Sequence, residues 1–347
     1  MSRAARFDMD QNGNILLIRL RSIGDILFTG PAIHLMREAF PDAKITFLVS
    51  KEHAPLLAGF RDVNEVMPLD RALYRRGNPK SIVMETLSLL RRLRRGKFAL
   101  AVDFQGYGET ALLTWWTRAP ERWGAVYQAA RGWAYTRGVK RNDLIHPAEW
   151  NLSLLYQCGL RPGKVVNEFT LPASALQEAH QFFAAHQLSF GYPVLFIQPF
   201  TSTPKKNWPL ENFLALAAHW RSRGVQVVFG GGPADQVTLE PVRQLGFVTS
   251  AGVPLLTSAG IAHLSTVVVG GVTGLLHLAV AMQKRVIMLV GYPAQEPGFP
   301  YQHRDWVVVP PTGGNVSEIQ TDAVIEACAE AFTELGVPGT PLEPRSS

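Results

Sequence analysis

A carboxylate stands where a buried strand is predicted to turn into a helix. Asp25 follows Gly24, a few residues after an apolar run that ends at Leu20. A carboxylate that projects from such a turn could remove a proton from an attacking hydroxyl group, provided it lies within hydrogen-bond reach. The alternative is that Asp25 only caps the helix that begins at Ile26. Asp25 is therefore a candidate general base, and a structural role stays open.

A second candidate site is a loop of hydroxyl and basic residues in the C-terminal half. Thr201 and Ser202 follow a predicted strand, and Lys206 comes shortly before a predicted helix. Hydroxyl and backbone N–H groups can hold diphosphate oxygens, and a lysine can offset charge that develops on a leaving group. The alternative is an exposed loop with a helix start at Pro209. That alternative explains neither the paired lysines nor Trp208, so the loop indicates a diphosphate site.

Two glycine-rich turns add further candidates. One passes through Thr273 and Gly274 into a predicted helix, whose dipole favours a bound diphosphate and which carries His277. The other is a triple glycine before Asp235, whose carboxylate could accept a ribose hydroxyl. Each turn also has a structural explanation: glycines permit tight packing, His277 could be a core histidine, and Asp235 could cap the next helix.

Familiar metal and cofactor motifs are absent from the sequence. It contains no HExxH, no CxxC pair, no Walker lysine pattern and no GxSxG elbow. Asp8-Met9-Asp10 has the spacing of a metal-binding DxD, but it precedes the first predicted strand and is assigned no role. Cys158 and Cys328 are far apart and suit two core thiols in a reducing compartment. We therefore expect neither a metal nor a resident cofactor.

Short apolar runs alternate with amphipathic stretches throughout the chain. The predicted strands are 15–20, 44–49, 65–68, 99–104, 193–198, 225–229, 266–269 and 286–290. The predicted helices are 26–39, 53–58, 81–95, 173–185, 210–221, 274–282 and 322–335. This alternation predicts an α/β fold with parallel sheets covered on both faces. Ligands bind beyond the carboxyl ends of the strands in such sheets, which is where the candidate residues fall.

The length and composition predict two folded domains. A chain of 347 residues is too long for one ordinary core, and 47% hydrophobic with 18% charged residues describes a globular protein. We place an N-terminal domain at 1–172 and a C-terminal domain at 173–347. We also consider that the last helix, 322–335, packs back on the first domain. Two doubly wound domains facing each other across a cleft are the expected architecture.

The net charge of +6 is concentrated in one segment. Basic residues cluster between Arg71 and Lys97, on and around the predicted helix 81–95. This charge is either the solvated face of a helix or a contact for a phosphorylated lipid surface. Nucleic acid is not expected, because no helix-turn-helix, zinc-finger or RNA-platform pattern accompanies the charge. No apolar run is long enough to span a membrane and the N-terminus has no apolar signal core, so we expect a cytoplasmic protein.

Several segments, in their order and spacing, resemble one known family. The segments that carry the resemblance are Ile15 to Asp25, Thr29 to Ala32, Val102 to Gly106, Arg122 to Gly124, His146 with the helix after it, Lys206 to Pro209, and Thr273 to Ala279. Together they resemble glycosyltransferase family 9, the ADP-heptose:lipopolysaccharide heptosyltransferases of Gram-negative bacteria. The resemblance runs from Ile15 to about Leu335. It implies a GT-B fold and an inverting, metal-independent single displacement.

The resemblance also implies roles for the candidate residues of the donor site. Asp25 would be the general base on the acceptor hydroxyl. The donor, expected to be ADP-heptose, would be held by its diphosphate and its ribose. The residues implied in donor binding are Thr201, Ser202, Lys206, Thr273, Gly274, His277 and Asp235.

The acceptor would bind the N-terminal domain. Arg19 and Arg21, together with the basic segment, suit the carboxylates and phosphates of an anionic inner-core glycolipid. Gly24, Asp103 and Gln105 belong to the same implied acceptor site. We therefore expect a nucleotide-diphosphate sugar and an anionic glycolipid as partners, and a peripheral contact at the inner face of the inner membrane.

Val272 departs from the pattern of the family. The family usually has an aspartate directly before the Thr/Ser-Gly pair, and valine cannot accept hydrogen bonds from sugar hydroxyls. Loss of a charge-assisted hydrogen bond weakens binding by roughly 1.5–3 kcal/mol when nothing replaces it. Two alternatives therefore stand beside the heptosyltransferase prediction: a transferase with another nucleotide sugar, and a nucleotide-sugar-binding protein without catalysis.

Overall fold

The computed structural model describes residues 13–291, 298–311 and 313–337. The Asp8-Met9-Asp10 sequence lies outside these residues. The chain divides into two compact units between Thr170 and Leu171, two residues before the boundary placed by sequence. Each unit contains one six-stranded sheet.

The first unit is built on a parallel sheet. Its strands are β1 (Asn14–Ile18), β2 (Lys44–Ser50), β3 (Glu65–Leu69), β4 (Leu100–Asp103), β5 (Glu121–Val126) and β6 (Arg137–Lys140). Its helices are α1 (Ile23–Leu27), α2 (Gly30–Ala39), α3 (Arg71–Arg76), α4 (Pro79–Arg95), α5 (Gly108–Trp116) and α6 (Pro147–Gln157), with 3₁₀ segments at Lys51–Gly59 and Ala129–Ala134. The strand order is β3-β2-β1-β4-β5-β6. Ile15 to Ile18 are fully buried, which explains why β1 shows no polar alternation.

The second unit repeats this plan. Its strands are β7 (Val194–Gln198), β8 (Gln226–Phe229), β9 (Val248–Thr249), β10 (Val267–Gly271), β11 (Val286–Leu289) and β12 (Val307–Val308). Its helices are α7 (Ala173–Ala185), α8 (Leu210–Arg221), α9 (Glu240–Gln244), α10 (Leu255–Leu264), α11 (Gly274–Ala281) and α12 (Thr321–Glu334), with 3₁₀ segments at Pro204–Lys206, Pro233–Asp235 and Val316–Glu318. The strand order is β9-β8-β7-β10-β11-β12. None of the described helices in either unit is long and apolar enough to cross a membrane.

The single helix predicted over 26–39 was wrong. The structure has two helices there, α1 ending at Leu27 and α2 beginning at Gly30. Pro31 has no N–H group and its ring clashes with the carbonyl four residues earlier, so an uninterrupted helix is unfavourable. The hydroxyl of Thr29 donates to the Ile26 carbonyl at 2.6 Å within the break. The interruption separates the short helix that carries Asp25 from the longer helix.

The last helix packs within the second unit. Val324, Cys328 and Phe332 of α12 are buried in the core of that unit, and the Phe332 ring meets Trp220 edge to face at 4.9 Å. The helix contacts α8 and the strands β10, β11 and β12. Its apolar face is therefore used inside its own unit, and packing of this helix on the first domain stays a prediction.

The strand register aligns the ends of the central strands in each sheet. Ile18 of β1 lies opposite Asp103 of β4, and Gln198 of β7 lies opposite Gly270 of β10. The segments that follow these strands therefore leave each sheet side by side. Those segments contain most of the residues singled out from the sequence.

Candidate active site

The candidate residues lie at the point in each sheet where the strand order reverses. In the first sheet this point falls between β1 and β4, and in the second between β7 and β10. The connections on either side of such a point run in opposite directions and leave a crevice at the carboxyl ends of the strands. Apart from Asp103, which is the last residue of β4, and Asp235, the predicted site residues lie in, or shortly after, the connections that follow these four strands. Asp235 follows β8, which is the neighbour of β7.

Asp25 is held by two neighbours on the turn after β1. Its Oδ1 lies 2.7 Å from Nη2 of Arg19, and its Oδ2 accepts hydrogen bonds from the backbone N–H and the hydroxyl of Ser22, both at 3.1 Å. The bond to the Ser22 N–H caps α1, so the capping role considered from the sequence is present. The side chain is still 35% exposed, so a substrate can reach the carboxylate. Capping and catalysis are compatible here.

The charge beside Asp25 keeps the carboxyl ionised. Burial by itself would raise the pKa of Asp25, but the Arg19 guanidinium and the hydrogen bonds from Arg19 and Ser22 outweigh it, so the pKa is lowered. At neutral pH this side chain is therefore a carboxylate that can accept a proton.

Arg19 links the two central connections of the first unit. Its Nη1 donates to the Phe104 carbonyl at 2.7 Å and its Nε donates to the Arg21 carbonyl at 3.0 Å. Only 11% of the side chain is exposed. Arg19 is thus engaged in holding Asp25, whereas Arg21 is exposed and Gly24 lies in the first turn of α1. Acceptor binding by these three residues stays a prediction.

Asp103 supports the connection after β4 from inside the protein. The carboxylate is fully buried and accepts hydrogen bonds from the N–H groups of Gln105 and Gly106, both at 2.9 Å, and from the Tyr135 hydroxyl at 2.7 Å. Burial raises the pKa of Asp103, and these hydrogen bonds oppose the rise. Asp103 therefore positions the loop. Direct contact between its side chain and an acceptor would require the loop to move.

Gln105 also links the connection after β4 to the connection after β1. Its Oε1 accepts from the N–H of Leu20 at 2.9 Å, and the side chain is 1% exposed. Within the described part of the chain, its Nε2 has no hydrogen-bond partner. Gln105 thus fixes the position of the turn before Asp25, and its contact with an acceptor stays a prediction.

An aromatic pair at this edge of the sheet was missed from the sequence. The rings of Tyr107 and Tyr127 lie 5.6 Å apart, and the Arg141 guanidinium stands 5.9 Å from the Tyr127 ring. Burial raises the pKa of Tyr127, and the nearby charges of Arg141 and Arg19 oppose that rise. A sequence signal existed only for Tyr107, which lies in the connection after the predicted strand β4, whereas Tyr127 directly follows β5, which was not predicted. The two ring faces suit contact with a sugar, whereas the Arg141 guanidinium is already paired with Asp143 at 2.8 Å.

The donor candidates of the loop after β7 lie against the end of β10. The Thr201 N–H donates to Asn207 Oδ1 at 2.8 Å and its hydroxyl donates to the Thr203 carbonyl at 2.9 Å, while Ser202 and Lys206 are exposed. A Cβ at Gly271 would lie 2.7 Å from Thr201 Cγ2 and 3.2 Å from the Lys206 carbonyl. Only glycine fits there, and the structure thereby brings together two motifs that are about 70 residues apart.

The glycine-rich turn after β10 leads into α11. Thr273 is the N-cap of that helix, and its Oγ1 accepts from the Leu276 N–H at 3.2 Å. Gly274 is the first helical residue, so the helix N-terminus lies at the end of a central strand. His277 is buried, with 6% exposed, as the core-histidine alternative requires. Val272 is partly buried, and a Cβ at Gly298 would lie 3.7 Å from its Cγ2.

Asp235 caps the 3₁₀ segment in which it lies. Its Oδ2 accepts from the Gly232 N–H at 2.8 Å. Asp235 therefore has a capping role, but in its own 3₁₀ segment and not at the next helix, α9, as considered from the sequence. Contact with a ribose stays a prediction. Among residues 13–291, 298–311 and 313–337, no three His, Cys, Asp or Glu side chains stand together in a way that could hold a metal ion.

The strand order and the position of the site define a class of fold. Two doubly wound, Rossmann-like domains of this kind form the GT-B fold of glycosyltransferases. A solved family 9 glycosyltransferase from Veillonella parvula is similar over 94% of this chain and 99% of its own, with a TM-score of 0.82 and 20% identity. The E. coli heptosyltransferase WaaC with ADP is similar over 92% of this chain and 99% of its own, with a TM-score of 0.74 and 20% identity.

Comparison of the amino-acid sequence with known families assigns the chain to one of them. Residues 86–320, more than half of the chain, match glycosyltransferase family 9 (heptosyltransferase). Lipopolysaccharide heptosyltransferase 1 of Pseudomonas aeruginosa is 25% identical over 289 residues, which cover 82% of this chain and 80% of that protein. Lipopolysaccharide heptosyltransferase 2 of E. coli K12 is 24% identical over 319 residues, covering 85% and 87%. The chain belongs to glycosyltransferase family 9, as the resemblance of its motifs predicted.

Proposed function

We propose that this glycosyltransferase moves heptose from ADP-heptose to the inner core of lipopolysaccharide or to a related anionic glycolipid. The observation that carries the proposal is the Asp25 carboxylate, ionised by Arg19 and accessible at the switch point of the first sheet. The names of the relatives support the sugar and the acceptor, since they are lipopolysaccharide heptosyltransferases. The reaction occurs at the cytoplasmic face of the inner membrane.

The reaction is a single displacement with inversion. Asp25 accepts the proton of the acceptor hydroxyl as its oxygen bonds to the anomeric carbon of the donor. The bond between that carbon and the diphosphate breaks, and ADP leaves with the electron pair. Arg19 and Ser22 hold the carboxylate in place throughout, because both contact its oxygens in the resting protein.

The donor diphosphate binds at the switch point of the second sheet. Lys206, Thr201 and Ser202 face its oxygens, and the N-terminus of α11 at Thr273 and Gly274 adds backbone N–H groups. These groups stabilise the charge that develops on the leaving diphosphate, so the reaction needs no metal. The same donor site contains Asp235, which accepts a ribose hydroxyl, and His277, which shapes the floor beneath the sugar.

The acceptor binds at the edge of the first sheet. Arg21 is exposed beside Asp25 and meets an anionic group of the acceptor. Tyr107 and Tyr127 provide ring faces for its sugar portion. Gly24 directly precedes Asp25 in α1 and adds no side chain beside the carboxylate.

The test is transfer from ADP-heptose by the Asp25→Ala variant. We expect kcat to fall by about 10²–10⁴-fold, because a positioned general base contributes that much. Donor affinity measured by calorimetry should stay nearly unchanged, since the base acts on the acceptor hydroxyl. Asp42→Ala, which removes an exposed carboxylate, is the control. Unimpaired turnover of Asp25→Ala would remove Asp25 from the mechanism.

Val272 supports a second candidate, a transferase that uses another nucleotide sugar. Its apolar side chain occupies the position before Thr273, where the family usually has an aspartate. Titration with ADP, UDP, GDP and ADP-heptose separates the candidates. Selective ADP binding that heptose tightens supports the main proposal, and selective UDP or GDP binding replaces its donor. A protein that binds these ligands without any transfer is the non-catalytic alternative.

A further inference from the structure

The solvent-facing side of α4 exposes three aliphatic residues. Val83, Met84 and Leu87 are 56%, 62% and 43% exposed, although the helix already buries Leu89 and Leu93 on its opposite side. A helix that covers a sheet normally presents polar residues to water. The outer aliphatic residues of α4 therefore do not serve the core of the first unit.

Basic residues share this outer face. Lys80, Arg91 and Arg95 are exposed, and their spacing from Met84 and Leu87 follows the helical period of three and four residues. The face therefore mixes aliphatic side chains with cations along a helix of 17 residues.

The segment around α4 contains the whole net charge of the protein. Between Arg71 and Arg95 there are eight Lys or Arg residues and one acidic residue, Glu85, which gives +7. The whole chain has +6, so the remainder has −1. Glu85 is paired with Arg92 at 3.4 Å on the side of the helix, so it does not neutralise the outer face.

Two exposed tryptophans lie near α4, one on α5, which packs on α4, and one on the 3₁₀ segment Ala129–Ala134, which packs on α5. The helix α5 packs on α4, with the Trp116 indole N–H donating to the Leu90 carbonyl at 3.3 Å. Trp115 of α5 is 44% exposed and meets Trp133, 57% exposed, edge to face at 5.7 Å. Tryptophan rings are enriched where a protein enters the interface between water and lipid. The neighbouring surface thus adds a second feature suited to a bilayer.

We infer that the outer face of α4, together with Trp115 and Trp133, docks on an anionic lipid bilayer. The cations meet the headgroup phosphates, and Val83, Met84 and Leu87 enter the boundary between headgroups and acyl chains. A nucleic-acid backbone would pair with the cations but would leave the aliphatic residues exposed. The inference deepens the proposed function and rests on it for one point, that the acceptor is a membrane lipid.

Docking here would bring the carboxyl edge of the first sheet close to the membrane. The strand β3 ends at Leu69, and α3 and the start of α4 follow it, so the first turns of α4 lie near the carboxyl edge of the sheet. Arg71 at the start of α3 pairs with Glu109 at the start of α5 at 3.2 Å, which joins the two elements at this edge. The turn with Asp25 is at the same edge.

The test is sedimentation with vesicles that contain no glycolipid acceptor, so the result does not depend on sugar transfer. Full-length protein should bind vesicles of equal parts phosphatidylethanolamine and phosphatidylglycerol, bind pure phosphatidylcholine vesicles far more weakly, and dissociate as salt is added. One variant replaces Lys80, Arg91 and Arg95 by Gln. At about fivefold per cation, its partition should fall about a hundredfold. A second variant, with Val83, Met84 and Leu87 replaced by Gln, should also bind at least tenfold more weakly at unchanged charge.

Two control variants keep the test specific. Replacement of Arg161, Lys164 and Arg223 by Gln removes the same charge from exposed positions elsewhere, and Leu245→Gln removes an exposed leucine of the second unit. Both should bind vesicles like the unmodified protein, and all variants should keep their ADP affinity. Three outcomes would overturn the inference. The unmodified protein could bind neutral and anionic vesicles equally, it could bind no vesicles at all, or the variant with Val83, Met84 and Leu87 replaced could bind as well as the unmodified protein. Self-association that the same variant abolishes would also overturn it, because this face would then be an interface between copies of the chain.

Discussion

At the scale of single residues, the catalytic proposal depends on the pair formed by Arg19 and Asp25. The guanidinium keeps the carboxylate ionised, but a lowered pKa also makes it a weaker base at neutral pH. A general base works best when its pKa lies near the working pH. The contact with Arg19 therefore makes the Asp25 carboxylate a weaker base, but it keeps the carboxylate charged and in a fixed position.

Arg19→Gln tests this effect through the pH profile of kcat/KM. The acidic limb reports protonation of the base in the free enzyme. Without the guanidinium, the pKa of Asp25 should rise, so activity should be lost at a higher pH as the solution is acidified. Arg21→Gln removes a neighbouring cation that does not contact Asp25 and should leave the limb in place. A limb that does not move in Arg19→Gln would mean that another group governs the profile.

The position of Asp25 could be predicted from sequence, whereas the use of Arg19 could not. A carboxylate after a glycine at a strand end is a local pattern. The bond from Arg19 to the Phe104 carbonyl joins residues 85 positions apart, and only the register of β1 and β4 brings them together. Tyr127 was missed for a related reason, because β5 itself was not predicted.

At the scale of elements, the donor loop depends on the end of β10 being glycine. Gly271→Ala would place a methyl group within 2.7 Å of Thr201 Cγ2 and 3.2 Å of the Lys206 carbonyl. We expect a loss of about 1–3 kcal/mol in the free energy of unfolding from overpacking, and a weaker ADP affinity because the loop must shift. Calorimetry and urea denaturation measure the two effects. Gly132→Ala, where nothing lies within 4 Å, should change neither, and an unchanged ADP affinity in Gly271→Ala would separate this loop from the donor site.

The connection after β4 is held by hydrogen bonds from its N–H groups to the buried Asp103 carboxylate. Tyr135→Phe removes one hydrogen bond to this carboxylate and should cost roughly 1.5–3 kcal/mol of stability, since the acceptor is charged and buried. Equilibrium denaturation of the variant measures the loss. Tyr192→Phe, at an exposed tyrosine, should cost almost nothing. Equal stability of Tyr135→Phe and the unmodified protein would show that this hydrogen bond does not stabilise the connection.

The elements themselves were predictable to different degrees. Buried central strands such as β1 and β7 are continuous apolar runs, and their bounds were close to those observed. The strand β6 was missed because it buries one residue, Val139, at the edge of the sheet. The helix α10 is apolar around its whole circumference, so it shows no helical period.

At the scale of the whole molecule, each unit has a complete doubly wound sheet, and the second has its own large hydrophobic core. All the proposed donor residues belong to the second unit. A fragment that begins at Leu171 should therefore fold cooperatively and bind ADP, and saturating ADP should raise its thermal midpoint. Circular dichroism and calorimetry measure both effects. A fragment that folds but fails to bind ADP would show that the first unit supplies part of the donor site.

The same strand order in both units is consistent with an origin by gene duplication. An ancestral half could be copied to give such a chain, and the polypeptide passes between the copies only once, at Thr170 and Leu171. A single passage is a convenient seam for recombination between genes. Recombination at this point would replace the second unit, and with it the specificity for the donor sugar. The hydrogen bonds that hold Asp25 belong to the first unit and would be unchanged.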